Sequence, residues 1–307
     1  MPRRKRGRDV DGVLLLDKLA GCSSNAALQR ARRLFDARKA GHTGSLDPLA
    51  TGLLPICFGE ATKLSSWLLH ADKRYRVRAD LRWETDTGDR EGKPTRYAAT
   101  PLPSHAQIIS ILQRFVGAQR QIPPMYSALK RDGRPLYELA RAGIEVEREP
   151  RDIVVNAIEL HALTGNSMTL DVTVSRGTYV RTLVEDIARA WGGAAHVSAL
   201  RRTGVGTYTT AAMFDFEQLE LRAKSGPDVL DATLVPASRA LADWPTVVLT
   251  REGASDVSHG RTVDLQTKPD TIGRVRIMNA AGGFLGLGEL DVNGRLAPRR
   301  MFTRVLS

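Results

Sequence analysis

Apolar residues along this chain follow two different periods in irregular alternation, and this mixture limits the folds that the chain can adopt. Residues 75–81 and 168–174 alternate apolar with polar side chains, which is typical of a half-buried strand. Residues 28–35 and 183–191 repeat their apolar side chains about every 3.6 positions, which is typical of an amphipathic helix. Because no regular βαβ rhythm recurs, we predict an α+β fold for residues 13–244, in which flanking helices cover a mixed, largely antiparallel sheet.

Short polar and glycine signals bound two of the predicted helices. Residues 23–25 (Ser-Ser-Asn) precede the first helix, and Gly41 is expected to terminate it. Ser104 and Gln107 have the spacing of a capping box ahead of a second helix, which we expect Gly117 to end. These signals predict where both helices begin and end.

The pattern changes after Val247, where short apolar alternations are separated by turn signals. Gly282-Gly283 and Asn293-Gly294 favour tight turns, and we predict no helix in this part of the chain. The simplest interpretation is a small β-barrel-like domain over residues 245–307.

The net charge of +11 indicates a polyanionic partner. The chain has 45 Lys and Arg against 34 Asp and Glu, and 36 of the basic residues are Arg, whose planar fork matches phosphate oxygens. We predict that residues 1–12, which include Arg3, Arg4, Lys5, Arg6 and Arg8, form a basic disordered arm that adds affinity for phosphate. A nucleic acid is the partner that this composition favours.

The apolar runs and the cysteines limit the location and the metal content. The longest early apolar run, residues 13–16, is far shorter than the roughly 18 residues that a membrane span needs, and no signal-peptide core follows the basic start. Cys22 and Cys57 belong to no CxxC or Cys/His pattern. We therefore expect a cytoplasmic protein without structural zinc.

The strongest local constraint on the backbone is the segment AGHTGSLDPLATGLLP, residues 40–55, with three glycines and two prolines. Asp47 in this segment is either a turn residue before proline or a carboxylate held on a rigid loop, as a nucleophile or base must be. A hydrolase triad of His42, Ser45 and Asp47 is rejected, since such triads assemble from distant segments and the GxSxG elbow is missing. The GxxxxGK[ST] and GxGxxG patterns of nucleotide-binding loops are missing too.

This segment resembles the signature of the TruB-type tRNA pseudouridine synthases, and further motifs extend the resemblance over most of the chain. In order, the matching motifs are GVLLLDK (12–18), GHTGSLDPLATGLLP (41–55), GEATK (59–63), KRY (73–75), TDT (85–87), PMYSALK (124–130), RGTYVR (176–181), HV (196–197), LRR (200–202), GEL (288–290) and APRR (297–300). Two departures are mild: Leu19-Ala20 replaces a proline-containing turn, and Ser45 stands where Thr or Ala is common. The resemblance implies a pseudouridine synthase catalytic domain over residues 13–244 and a PUA-like RNA-binding domain over residues 245–307.

The family isomerises a uridine of the tRNA T-arm, at position 55, and the resemblance implies the same activity and the same partner here. The base leaves ribose C1′ and rejoins it through C5, so no atom is gained or lost and we expect no cofactor and no metal. One alternative is a tRNA-binding or tRNA-folding protein of the same fold without catalysis, and another is a synthase that acts on ribosomal RNA within a larger complex. We expect a monomer that acts on tRNA without an obligate protein partner and away from membranes.

The resemblance assigns catalysis to three residues. Asp47 is the implied nucleophile, and Arg181 is the cation that keeps it ionised in a dry pocket. From local sequence alone, Arg181 would instead pair with Glu185, four residues on. Tyr75 is implied to stack on the target base and to remove a ribose proton if the reaction passes through a glycal, although its strand pattern alone predicts a core tyrosine. The sequence leaves attack at C1′, attack at C6 and the glycal route open.

Five further residues are candidates for binding the RNA, three of them by the resemblance. His42 is implied to insert into the loop from which the uridine flips, with a hydrogen-bonded loop histidine as the alternative. Tyr179 and Leu200 are implied to form the walls of the uridine pocket, with core residues as the alternative. Lys18 and Lys130 are expected either to contact phosphates and bases or to be solvated surface lysines.

Overall fold

The computed structural model of the chain describes residues 7–239, 241–265 and 271–306. Its helices are α1 (Ser24–Leu34), α2 (Ser65–His70), α3 (His105–Gln113), α4 (Leu136–Arg141), α5 (Val180–Arg189), α6 (Phe216–Lys224), α7 (Pro227–Asp231) and α8 (Arg251–Ser258). Its strands are β1 (Gly12–Lys18), β2 (Ala40–His42), β3 (Thr51–Phe58), β4 (Lys73–Asp80), β5 (Trp83–Thr85), β6 (Pro94–Tyr97), β7 (Gly117–Gln121), β8 (Lys130–Arg131), β9 (Arg134–Pro135), β10 (Arg151–Thr164), β11 (Ser167–Val174), β12 (His196–Val205), β13 (Tyr208–Thr209), β14 (Thr246–Leu249), β15 (Val263–Asp264), β16 (Gly273–Asn279), β17 (Phe284–Leu290) and β18 (Arg295–Leu306). Among these residues, no helix is both long and apolar enough to cross a membrane.

The larger sheet runs through the N-terminal part of the chain in the order β1-β3-β12-β4-β11-β10-β7, with β2 added on β3 and β13 on β12. Its neighbours are antiparallel except for β12 and β3, which run parallel where Arg201 faces Thr51. The predicted mixed, largely antiparallel sheet is therefore confirmed.

The alternating segments form the central strands of this sheet, as expected. On β11, Met168, Leu170, Val172 and Val174 are all buried, while the residues between them are half-buried. These side chains share one hydrophobic cluster with buried residues of α1, α3, α5 and α6. The flanking helices thus cover the apolar face of the sheet.

Both predicted helix starts are correct, but both predicted glycine stops are wrong. Ser23 caps α1, and the Ser104–Gln107 capping box is complete. However, α1 already ends at Leu34. Two residues later, Asp36 takes a left-handed backbone conformation (φ 45°), which Asp tolerates better than most residues. Gly41 lies instead in β2, and Gly117, with φ 105°, begins β7.

The C-terminal residues form a second sheet with the strand order β14-β16-β17-β18-β15. The predicted turns at 282–283 and 293–294 connect its antiparallel strands. The expectation that this part lacks a helix is wrong, because α8 begins at Arg251. The Thr250 hydroxyl caps it by accepting a hydrogen bond from the Gly253 backbone N–H, and Val257 buries its short apolar face.

The two sheets share a hydrophobic core. Leu15 and Leu53 of the larger sheet lie in one cluster with Phe284, Leu287 and Phe302 of the C-terminal sheet. Shared burial of this kind opposes independent movement of the two parts. The C-terminal sheet therefore packs against β1 and against β3, the strand that follows the loop around Asp47.

The predicted basic arm falls partly outside the described residues, which exclude residues 1–6. The described remainder packs against the body of the protein. Arg8 forms a salt bridge to Asp231, with 2.8 Å between its Nη2 and the carboxylate, and Val10 is buried. Disorder of residues 1–6 stays a prediction.

Candidate active site

The loop that carries Asp47 connects β2 to β3, and its base is closed by the pairing of these two strands. His42 faces Ile56 in this hairpin, and Gly44 adopts φ 126°, which favours glycine. At the return of the loop, Gly52 lies so close to β12 that a Cβ atom would overlap the Arg202 carbonyl oxygen. Glycine is therefore needed where the loop meets the sheet.

Three side chains from distant parts of the chain fasten this loop to the body. The buried Arg202 donates hydrogen bonds to the carbonyl oxygens of Leu53 at 2.7 Å and Gly44 at 3.1 Å. The Ser24 hydroxyl accepts from the Leu46 N–H at 2.7 Å, and the Lys18 ammonium reaches the carbonyl oxygens of Cys22 at 2.9 Å and Pro48 at 3.4 Å. The backbone around Asp47 is thereby held from both sides.

Asp47 forms a two-point ion pair with Arg181. The distance from Arg181 Nε to Asp47 Oδ2 is 2.9 Å, and Arg181 Nη2 donates to Asp47 Oδ1 at 3.3 Å. Glu185, the alternative partner suggested by helix spacing, pairs with Arg189 at 3.6 Å instead. The long-range ion pair that the family resemblance implied is therefore present.

Arg181 lies at the start of α5 and has little freedom to leave this position. Its side chain is only 4% exposed, and its guanidinium also donates to the carbonyl oxygens of Thr87 at 2.6 Å and Tyr126 at 2.8 Å. A second carboxylate, Asp89, lies 3.7 Å from its Nη1. Asp89 is itself fixed by the Thr87 hydroxyl at 2.7 Å. The cation is thus oriented before any substrate arrives.

The electrostatics of Asp47 combine a half-buried position with an adjacent cation. Burial raises the pKa of Asp47 above its ordinary value, and the nearby Asp89 raises it further. Arg181 and Lys18 oppose this shift without cancelling it. Because 37% of the side-chain surface remains open to the cavity, the carboxylate is accessible as well as poorly solvated. Such a carboxylate is suited to nucleophilic attack on a bound molecule.

A cavity of about 570 Å³ opens in front of Asp47. Tyr75, Tyr179 and Leu200 line it together with Asp47 and Arg181. The other residues along its wall are Gly44, Ser45, Leu46, Leu69, Lys73, Ser127, Ala128, Arg151, Asp152, Ile153, Val174, Ser175, Arg176, Gly177, Thr178, Val180 and Arg202. The structure therefore brings all three predicted catalytic residues and two of the predicted pocket residues into one cavity.

The walls of the cavity are positioned by the sheet. Tyr75 stands near the start of β4, opposite Arg202 of β12 and Val172 of β11. The backbone of Tyr179 is held by the buried side chain of Gln121, whose amide donates to the Tyr179 carbonyl oxygen at 3.1 Å and accepts from its N–H at 2.8 Å. Tyr75 and Tyr179 are only partly buried, so their rings remain available to a ligand.

Three of the residues predicted to bind RNA lie outside the cavity lining. His42 is half-buried on β2, and its Nδ1 accepts a hydrogen bond from the Gly44 N–H at 3.4 Å. Burial and the nearby Arg202 lower the pKa of His42, which keeps its ring neutral at pH 7. Lys130 is exposed on the β8–β9 hairpin, just after the lining residues Ser127 and Ala128. The RNA contacts of His42 and Lys130 stay predictions.

The prediction that Lys18 contacts RNA or solvent is wrong. Its side chain is completely buried, and its ammonium donates to the carbonyl oxygens of Leu19, Cys22 and Pro48. A buried ammonium that satisfies backbone carbonyls has no donor left to offer a phosphate. Lys18 instead anchors the loop that holds Asp47.

No sequence pattern indicates the roles of Arg202, which holds the loop, and Gln121, which holds the backbone of Tyr179. Arg202 lies within the LRR motif, but an arginine in a strand is ordinarily expected to face solvent. Gln121 ends β7 without any local pattern. Both act through backbone atoms of segments more than 50 residues away, and no local spacing could indicate such contacts.

Comparison with known proteins identifies the family of this chain. Residues 32–180 match the TruB family pseudouridylate synthase N-terminal domain, residues 181–242 the tRNA pseudouridylate synthase B C-terminal domain, and residues 245–302 the C-terminal domain of pseudouridine synthase II TruB. The tRNA pseudouridine synthase B of Nitrosococcus oceani is 48% identical over 97% of this chain and 97% of that protein. That of Pseudomonas putida strain GB-1 is 49% identical over 96% of both chains.

A solved structure supports the fold. The crystal structure of a Cbf5-Nop10-Gar1 complex contains a chain that is 25% identical, with a TM-score of 0.72, covering 96% of this chain and 84% of that one. The fold and site thus define a pseudouridine synthase with a PUA-like C-terminal domain. More narrowly, the extent and identity of the matches show that this chain belongs to the TruB family.

Proposed function

We propose that this chain converts the uridine at position 55 of the tRNA T-arm into pseudouridine, with Asp47 as the nucleophile. As a member of the TruB family it is an isomerase that acts on uridine. The two relatives described above carry names that specify tRNA, which supports tRNA as the substrate. The observation that carries the proposal is the two-point ion pair of Asp47 and Arg181 at the wall of an open cavity.

The reaction breaks the bond from ribose C1′ to base N1, turns the base and joins C1′ to C5. C5 then loses its proton and N1 gains one, so the product is an isomer of the substrate. The base must remain in place between the two steps, so the site must exclude water. One ionised carboxylate suffices for this chemistry, whereas a glycoside hydrolase needs a second one to handle water. Asp47 supplies that carboxylate, and the fixed guanidinium of Arg181 stabilises its charge once a bound nucleotide has displaced water from the cavity. Attack at C1′ and attack at C6 both use this carboxylate as the nucleophile, whereas a glycal route also needs a base for a ribose proton, the role proposed for Tyr75.

The remaining residues of the site fit an everted uridine. We propose that the Tyr75 ring stacks on the base and that Tyr179 and Leu200 enclose it, which their position on the cavity wall supports. Extrusion of a base from a folded loop costs a few kcal/mol of stacking, which a group that fills the vacated position offsets. The neutral imidazole of His42 is suited to that position, because it leaves no charge among stacked bases.

We also propose that the enzyme is a cytoplasmic monomer that acts on tRNA without a protein partner. The basic composition supports a nucleic-acid substrate. The cavity also has its nucleophile, cation and walls from a single chain. Lys130 on its exposed hairpin is proposed to contact the same RNA.

Replacement of Asp47 by asparagine tests the proposed role directly. We expect Asp47→Asn to abolish pseudouridine formation on unmodified tRNA and on a T-arm stem-loop, because the amide is not a nucleophile. Affinity for the stem-loop should stay within about tenfold, or ~1.4 kcal/mol, of the unaltered chain. Mapping of the modified position after incubation with the purified chain checks both the reaction and the site.

The matched control is Asp171→Asn, which removes an equal charge from an exposed ion pair with Arg76 on the sheet. It should retain full turnover. If Asp47→Asn turned over normally, the nucleophile would be misassigned. Binding without any modification by the unaltered chain would instead favour a tRNA-binding or tRNA-folding protein.

A further inference from the structure

Two arginines on the cavity wall are without a partner in the part of the chain that the structure describes. Arg151 and Arg176 are both exposed and line the same cavity as Asp47. The other arginines of the lining, Arg181 and Arg202, are buried and engaged with Asp47 and with backbone carbonyl oxygens. Neither Arg151 nor Arg176 has a role in the reaction proposed above.

The sheet fixes where these two arginines stand. Val174, the last residue of β11, is paired with Lys73, the first residue of β4, and Arg176 follows two positions later. The adjacent strand β10 begins at Arg151, which is paired with the Gln121 that holds the Tyr179 backbone. Both arginines therefore lie at the same end of the neighbouring strands β4, β11 and β10, beside the cavity.

Basic side chains outnumber acidic ones at this end of the strands. Burial lowers the pKa of Lys73 to about 8, and the proximity of Arg202 and Arg176 contributes to that shift. The Lys73 ammonium is already bonded to the carbonyl oxygens of Leu69 at 2.5 Å and Ala71 at 2.6 Å. Asp152 also lines the cavity, but its side chain is 96% exposed and lies 4.0 Å from Arg120. An anion from outside the chain would relieve this repulsion.

We propose that Arg151 and Arg176 form a phosphate-binding subsite that holds one of the two RNA backbone phosphates flanking the everted uridine. The subsite rests on the proposed function, since that function supplies the nucleotide. Guanidinium groups bind phosphate through paired, charge-assisted hydrogen bonds. Because one continuous cavity contains Asp47 and both arginines, the phosphate they reach belongs to the nucleotide at Asp47 or to its neighbour. Fixing that phosphate sets the depth to which the ribose enters.

The subsite predicts coupling between these arginines and one RNA linkage. Stem-loops are made with a neutral methylphosphonate either directly 5′ or directly 3′ of the target uridine, and binding is measured in an Asp47→Asn background so that the RNA stays unconverted. We expect the parent to lose about tenfold in affinity at one of these linkages. Arg151→Ala and Arg176→Ala should each weaken binding of the unmodified stem-loop by about tenfold and then lose little more on that methylphosphonate. Each should also reduce the salt slope of binding by about 0.7–1.

Arg114→Ala is the matched control, because Arg114 is an exposed cation at the end of α3 and outside the cavity lining. It should keep the full sensitivity to the methylphosphonate. Thermal unfolding of each variant verifies that the fold is intact. The subsite would be overturned if the losses of affinity from the arginine substitution and from the methylphosphonate multiplied at both the 5′ and the 3′ linkage. Unchanged stem-loop binding by both arginine variants would also overturn it. Failure of the chain to form pseudouridine would overturn the proposed function instead, because the coupling is measured by binding alone.

Discussion

At the scale of single residues, Asp47 combines two opposing demands. Its reactivity requires a charged carboxylate with little solvent, whereas the folded chain is more stable when that carboxylate is neutral. The raised pKa of Asp47 records this conflict, because burial outweighs the attraction of Arg181. A protein that loses this charge should lose its chemistry and gain stability, as is common for groups at active sites.

The pH dependence of stability should reveal the conflict. The pKa of Asp47 is higher in the folded than in the unfolded chain, so its ionisation destabilises the fold at pH values above the folded pKa. We expect Asp47→Asn to melt at a higher temperature than the unaltered chain at pH 7. The difference should shrink as the pH falls through the folded pKa towards the unfolded pKa. Paired thermal melts between pH 4 and pH 8 measure it, and a difference that grows in acid would contradict the assignment.

Tyr75 allows stacking and proton transfer to be separated. Tyr75→Phe keeps the ring that lines the cavity but removes the hydroxyl. If the hydroxyl transfers a proton, the rate of the chemical step should fall by about 100-fold or more, while affinity for the stem-loop stays unchanged. Single-turnover kinetics measure the step directly. Tyr75→Leu serves as the comparison, since it should also weaken binding, and unchanged kinetics in Tyr75→Phe would limit Tyr75 to stacking.

At the scale of elements, the loop between β2 and β3 owes its rigidity to its anchors. Lys18 and Lys130 both stand in motifs of the family resemblance, yet one is buried under this loop and the other is exposed on a hairpin. Replacement of Lys18 should therefore affect mainly stability, whereas replacement of Lys130 should affect mainly RNA binding.

We expect Lys18→Met to destabilise the fold by about 1–3 kcal/mol, because it leaves buried carbonyl oxygens without donors. Turnover should fall because the loop around Asp47 loosens, whereas affinity for RNA should change little. Lys130→Met should leave the melting temperature unaltered and weaken RNA binding. Denaturant unfolding and stem-loop titration of both variants test this contrast, and a stable Lys18→Met variant with weak RNA binding would restore the surface role.

The elements that the sequence predicted well are those with a strict period. Strands β4 and β11 and the capping box of α3 depend only on residues that are close together in the chain. Local sequence patterns are therefore enough to predict them. The end of α1 was missed because Asp36 adopted the conformation that was expected of a glycine. Helix α8 was missed because its eight residues bury few apolar side chains.

The candidate site also contains residues that local sequence indicates and residues whose roles depend on contacts in the folded chain. Asp47 stands out locally, because glycines and prolines surround it, and its family motif is intact. The pairing of Asp47 with Arg181 could be assigned only by resemblance, since helix spacing favours Glu185 as the partner of Arg181. The anchoring role of Lys18 depends on contacts with backbone oxygens, and those contacts exist only after the chain has folded.

At the scale of the whole molecule, the two sheets should unfold together. Phe284 is fully buried in the cluster that joins the C-terminal sheet to Leu15 and Leu53 of the larger sheet. We expect Phe284→Ala to lower the free energy of unfolding by about 3–5 kcal/mol and to leave a single transition. Val292→Ala, at a position that is 63% exposed, is the control and should change little. Two separate transitions would show that the parts are independent.

The ion pair between Asp47 and Arg181 spans 134 positions of the chain, and Arg202, which grips the loop, follows still later. During synthesis on the ribosome, the carboxylate thus emerges long before its cation and its last anchor. A polypeptide cut short before residue 181 would carry the carboxylate without the group that holds its charge. The ability to convert uridine should therefore arise late in translation, and incomplete copies should form no pseudouridine.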